Sequence, residues 1–120
     1  MWCVYVGVNP MIKRGDIFFA NYPGSKAHVQ GFKNHPWVVV QNDIGNELSG
    51  ITIVCPMTKK FKHQLPTHVS IVWGSISGTV LCEQIRVVDQ EDFKVVEHLP
   101  DKIMEHIDRA LAVAVGLKKE

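Results

Sequence analysis

Two short basic segments carry most of the side chains in this 120-residue chain that could act on an anionic substrate. The first holds Lys26, His28, Lys33 and His35, with Phe32 among them; the second is Thr58-Lys-Lys-Phe-Lys-His63. Cations interleaved with aromatic rings suit single-stranded nucleic acid, because ammonium groups meet phosphates while rings stack on bases. A solvated basic loop has the same composition. His35 stands directly before the apolar run that opens at Trp37, and Pro36 biases its backbone toward an extended form. A histidine has an unperturbed pKa of about 6.5 and can take or give a proton near neutral pH.

Other chemistries lack their residues. The chain has no P-loop, no GxGxxG, no HExxH and no GxSxG elbow. His63 and His68 are separated by Pro66 and have no further ligands nearby in sequence, so no metal site is expected there. An enzyme built from these residues would work without metal or cofactor.

Charge is unevenly spread. The formal net charge is +1, but residues 1–82 carry seven Lys/Arg against three acids, a net of +4, while residues 83–120 carry six against nine, a net of −3. No acid occurs from Ile17 to Asn42 or from Leu48 to Cys82. A basic body suggests an anionic ligand on the first two-thirds of the chain.

These segments need a scaffold. The length suits one domain, expected over residues 11–120. Residues 1–10 read as an extension, because Met11 could itself be a start and the segment lacks the basic region and cleavage site of a secretory signal. No apolar run approaches a membrane span. Cys3, Cys55 and Cys82 form no disulfide framework or CxxC pattern, which makes the cytoplasm the simplest compartment and buried core thiols the simplest role for Cys55 and Cys82.

Short β-prone runs are predicted over 16–20, 37–41, 51–57, 67–72, 79–88 and 93–96, with 79–88 the longest. Pro56 implies that its strand ends, bulges or lies at an edge. Residues 21–36 read as a long loop, 42–46 and 74–78 as turns, and 58–64 as a basic loop. Ile103, Ile107, Leu111 and Ala114 recur at helical spacing, with Pro100 suited to the first helical position and Gly116 to the end. Many short strands followed by one amphipathic helix describe a mostly β fold, a small barrel with a C-terminal helix packed on it.

Several motifs in order resemble the MazF/PemK family of toxin endoribonucleases. They are Lys13-Arg-Gly-Asp16, Pro23-Gly-Ser25, Val29-Gln-Gly31, Pro36-Trp-Val-Val-Val-Gln-Asn-Asp43, Val54-Cys-Pro-Met-Thr58, Leu65-Pro-Thr-His-Val69 and Glu83-Gln-Ile-Arg86, with Ile107-Asp-Arg-Ala-Leu111 in the helix. The resemblance covers about 12–117. It implies an SH3-like barrel of five to seven strands, a homodimer, and metal-independent, sequence-specific cleavage of single-stranded RNA. It also implies a cognate antitoxin whose acidic, disordered tail folds over the RNA groove, and DNA binding by the toxin–antitoxin complex.

The resemblance implies Thr58 as a catalytic residue, and position and histidine chemistry make His35 the other candidate. The resemblance further implies Gln30, Phe32, Lys33, Asn34, Lys59, Lys60, Phe61, Glu83 and Gln84 as substrate-binding residues. One departure matters. Where the family reads a catalytic Arg before the strand proline, this chain has His35. Arginine is a good forked donor and a poor base, because it stays protonated; histidine can serve as acid or base but lacks the permanent charge. Lys33 is a charge donor in reserve. Two alternatives stay open: a member that binds RNA or antitoxin without cleaving, and a gyrase-binding toxin of the related CcdB type.

Overall fold

In a computed structural model, which describes residues 12–20, 34–61, 63–91 and 93–119, seven strands form one antiparallel sheet with two helices. The strands are β1 Asp16–Ala20, β2 His35–Val39, β3 Ile51–Thr58, β4 His68–Trp73, β5 Ile76–Leu81, β6 Arg86–Asp89 and β7 Val95–His98; the helices are α1 Asp43–Leu48 and α2 Asp101–Ala114. The spatial order is β4-β5-β3-β2-β1-β7, with β6 also paired to β3. Residues 1–10 and most of 21–36 lie outside the described residues.

Side chains alternate across a strand, so a two-sided sheet sorts its apolar residues into two clusters. Ile17, Val38, Cys55, Met57 and Val80 face α2, which buries Met104, Ile107 and Ala110 against them. The next residues along, Phe18, Trp37, Val39 and Val54, form a second cluster on the opposite face, capped by Phe93 stacked on Phe18 at 3.9 Å. Cys55 and Cys82 are both buried, as expected. The Cys82 thiol beside it and burial push the Cys55 thiol well above its ordinary range, so it is a packing group rather than a nucleophile.

The sheet curls until its ends meet. β4 and β7 are the terminal strands of the order, yet the Trp73 indole donates to the His98 carbonyl at 3.0 Å. The Ser75 N–H and hydroxyl both donate to one Glu97 carboxylate oxygen, at 3.0 and 2.8 Å. At the same end, His98 Nδ1 meets Asp16 at 2.7 Å. The Lys13–Asp16 motif is mainly structural: Arg14 bonds the Val40 carbonyl and pairs with Asp108 of α2, while Gly15 holds a positive φ of 97°.

Four local expectations are corrected. Residues 42–46 are not a turn but the start of α1. Asn42 caps it by accepting from Gly45 N–H, and buried Asn46 bonds Gln41 and Thr52. The run 79–88 is not one strand: β5 stops at Leu81, and a 3-10 turn, Cys82–Gln84, leads into β6. The strand expected at 93–96 is shifted to Val95–His98 because Phe93 leaves the sheet to stack on Phe18. Pro100 is the N-cap, one residue before the first helical position.

Pro56 lies inside β3 opposite Trp37, and the register explains why it fits. The Ile53 carbonyl points to β2, so alternation directs residues 54 and 56 to the other edge. There β6 pairs β3 only up to Val54, and β5 takes over at Met57. The missing N–H falls between two partners.

Candidate active site

One row of residues crosses the sheet beyond the second cluster. In the paired registers Ala20 stands opposite His35, Thr58 opposite Thr79, and Thr79 opposite Ser70. The β2–β3 ladder runs to Trp37 and Pro56; two residues further along each strand come His35 and Thr58. The face that carries Trp37 and Val39 is therefore apolar at one end and polar at the other. β1 ends at Ala20 and β2 begins at His35, both in this row.

The Thr58 side chain is fixed by the loop that follows it. Its hydroxyl accepts the Lys60 N–H at 3.2 Å, while Thr79 donates to the Lys60 carbonyl at 3.0 Å. Accepting one bond uses a lone pair of Thr58 and leaves its O–H proton to be donated. Gly78 makes this approach possible. A Cβ there would lie 2.0 Å from the Thr58 carbonyl oxygen, and the backbone has φ 145°. Lys59, Lys60 and Phe61 project from the start of this loop and are exposed.

The 3-10 turn forms a second wall. Cys82 enters the core and its N–H bonds the Thr67 carbonyl at 2.9 Å, which turns Glu83 and Gln84 outward. Glu83 accepts from Thr67 at 2.8 Å and meets His68 Nε2 at 3.2 Å. Burial works to raise the Glu83 carboxyl, but its own backbone N–H, the Thr67 hydroxyl and His68 outweigh it and hold the group below its ordinary range. Beside β4 runs a groove of about 570 Å³, bordered by His68 and Ser70 and, on the far side, by His106, Arg109 and Lys118.

His35, Thr58, Lys59, Lys60 and Phe61 thus share one end of the sheet, with Asn34 exposed next to His35. Glu83 and Gln84 stand on the neighbouring turn. Gln30, Phe32 and Lys33, with Lys26 and His28, lie outside the described residues. Among the described residues, no three His, Cys, Asp or Glu side chains gather as metal ligands. Sequence reasoning missed Ser70, Thr79 and Gly78. Their signal is the hairpin after Gly74, whose register sets Ser70 opposite Thr79, with Thr79 opposite Thr58 and Gly78 against the Thr58 carbonyl.

Comparison with known proteins agrees with this scaffold. Residues 13–115 match the model of the family described as PemK-like, MazF-like toxin of type II toxin-antitoxin system. A curated relative, Endoribonuclease EndoA of Bacillus subtilis (strain 168), is 37% identical over 113 residues, covering 89% of this chain and 97% of that protein. The fold matches a mycobacterial endoribonuclease solved with its cognate antitoxin, with a TM-score of 0.75 at 20% identity over 91% of this chain and 99% of the other. It also matches a chain of the MazE-MazF (Form-II) crystal structure from Deinococcus radiodurans, with a TM-score of 0.74 at 19% identity over 92% of this chain and all of that one. With its residues matched from Lys13 to Val115 and its strands ordered as described, the chain belongs to the PemK-like, MazF-like toxin family of type II toxin–antitoxin systems.

Proposed function

We propose that this chain is a metal-independent endoribonuclease that cleaves single-stranded RNA at short sequences, as the toxin of a toxin–antitoxin pair in the cytoplasm. The observation that carries it is the polar row: His35, able to move a proton, and Thr58, held by Lys60, at one end of one sheet face beside exposed lysines. The 37% identical relative named an endoribonuclease supports the same reading.

In the reaction, an RNA 2′-OH attacks its adjacent phosphorus. The bond to the 5′-oxygen breaks, leaving a 2′,3′-cyclic phosphate and a 5′-hydroxyl. His35 takes the proton from the 2′-OH or gives one to the leaving oxygen. The Thr58 hydroxyl donates to a non-bridging oxygen as charge builds there. Lys33, Lys59 and Lys60 supply positive charge to the phosphates, Phe61 a stacking face, and Gln30, Phe32, Asn34, Glu83 and Gln84 contacts to the strand.

Two partners follow. An acidic antitoxin tail fits the basic loops and the cation-bordered groove beside β4. A second copy of the chain fits the apolar groove lined by Val40, Ile53, Ile85, Leu111, Val115 and Leu117, where Val115 and Leu117 are exposed.

The test is cleavage of a long single-stranded RNA by pure protein in excess EDTA, beside His35→Ala and His35→Arg. Cutting by wild type and loss in His35→Ala supports the reading. Inert wild type with a cutting His35→Arg makes this chain a binding module that has lost its chemistry. Cleavage abolished by EDTA overturns the metal-independent mechanism.

A further inference from the structure

His68 ties two segments together near the row, and the nuclease mechanism does not use it. It opens β4 and its side chain is only 10% exposed. Its two ring nitrogens meet two acceptors from different elements. Nδ1 lies 3.0 Å from the His63 carbonyl, in the basic loop, and Nε2 lies 3.2 Å from the Glu83 carboxylate, in the 3-10 turn. A neutral imidazole has one N–H and one bare nitrogen, so it can satisfy only one of these oxygens. With Glu83 ionised, as its lowered carboxyl favours, both bonds form only when the ring carries both protons.

We propose that His68, as the doubly protonated imidazolium, is a positioning residue that clasps the basic loop to the Glu83–Gln84 turn and so forms one RNA-binding surface from two segments. The inference rests on the nuclease reading of that surface. Thr67 braces the same carboxylate from the adjacent position, so the turn is held by two donors. Leu81 stands opposite His68 in the β4–β5 ladder, two residues along from the Thr79–Ser70 pair. The clasp therefore sets the spacing between the turn and the row that contains Thr58. Glu83 meets Nε2 from the 3-10 turn, and His106, Arg109 and Lys118 border the same groove from the α2 side. Without the clasp, the loop bearing Lys59, Lys60 and Phe61 loses its tie to the turn. RNA must then fix the spacing between the two segments on binding.

The test has two arms on the full-length protein. In the first, the ¹⁵N and ¹H resonances of the His68 ring are recorded at neutral pH. Protons on both nitrogens are expected; a ring with one proton overturns the proposal, whatever the protein cuts. In the second, cleavage of one single-stranded RNA is followed for wild type and for His68→Gln, which keeps a donor but cannot reach both oxygens with a positive charge. A rise of about tenfold in KM with a much smaller change in kcat is expected. An equal fall in kcat at unchanged KM would make His68 part of the chemistry and overturn the positioning role, as would wild-type kinetics. If wild type cuts no RNA while the ring carries both protons, the nuclease reading fails and takes the RNA role with it, but the clasp stands.

Discussion

Thr58 and Thr79 face each other across the β3–β5 ladder and hold opposite ends of one residue, Lys60: the first accepts its N–H and the second donates to its carbonyl. This arrangement orients the Thr58 hydroxyl without consuming its proton. It also makes the start of the basic loop an extension of the sheet rather than a free segment, and it gives the site its most direct test.

Thr58→Val keeps the volume and branching and removes only the hydroxyl. Cleavage should fall by about 10²–10³-fold, the usual effect of losing one donor to a developing oxyanion. Stability should drop by about 1 kcal/mol, the net worth of one hydrogen bond. Single-turnover cleavage beside a denaturant melt separates the two. A variant that loses stability but cuts normally would leave Thr58 as scaffold only.

Gly78→Ala tests the close approach beneath Thr58. The added methyl would meet a backbone oxygen, which cannot rotate away, in a backbone conformation that L residues avoid. A loss of about 1–3 kcal/mol is expected from the backbone conformation alone, with the clash adding to it. The urea midpoint reads this, and an unchanged midpoint would mean that β3 and β5 separate without cost.

Asn46→Ala tests the buried amide network. The change strands the Thr52 hydroxyl and one of the two Gln41 Nε2 hydrogens, both bonded to the Asn46 side-chain oxygen, and the Gln41 carbonyl; the other Nε2 hydrogen keeps the Ile51 carbonyl. Each unsatisfied group costs about 1–3 kcal/mol. The variant should melt well below wild type yet cut normally per folded molecule, because α1 lies away from the polar row. Normal melting would show that water replaces the amide.

Acid should loosen the joint between the ends of the sheet. The Ser75 N–H, then its hydroxyl, hold the Glu97 carboxyl below its ordinary range. A carboxyl depressed in the folded state binds its proton more readily in the unfolded chain. Its stabilisation is therefore complete above the unfolded pKa of about 4.3 and lost as pH falls through the lower folded value. Glu97→Gln should show a smaller drop in urea midpoint between pH 7 and pH 3 than wild type. Parallel curves would show that this joint carries no proton linkage.

What the sequence reveals depends on how far each feature reaches along the chain. Val38 and Val40 against Trp37 and Val39 predict a buried strand, and Ile103, Ile107 and Leu111 a helix, because those patterns are local. The stretch Asn42–Asn46 reads as a turn because its residues favour turns. It becomes helical because Gln41, Thr52 and Gln90 bond to Asn46, and all three lie outside the stretch. The β-prone run from Thr79 to Val88 hides its break, because Cys82 turns into a core that other strands build. The candidate residues are legible by type, whereas their alignment is not. Thr58 meets Thr79 only through a register that the two apolar clusters enforce. His68 and Glu83 are each conspicuous in a motif, but their meeting requires both the β4–β5 hairpin and the 3-10 turn.

The pairing of β1 with β7 joins residues 82 positions apart, as in the Asp16–His98 contact. Contacts of such separation form slowly and only after the intervening chain exists. On the ribosome, β1 through β6 can emerge and pair, yet the ring of strands stays open until residues 95–98 have been made. A chain truncated before Val95 would present β1 as a bare edge, a species more prone to aggregate than to act. The order of synthesis itself thus delays closure of the toxin's sheet until just before α2 is made.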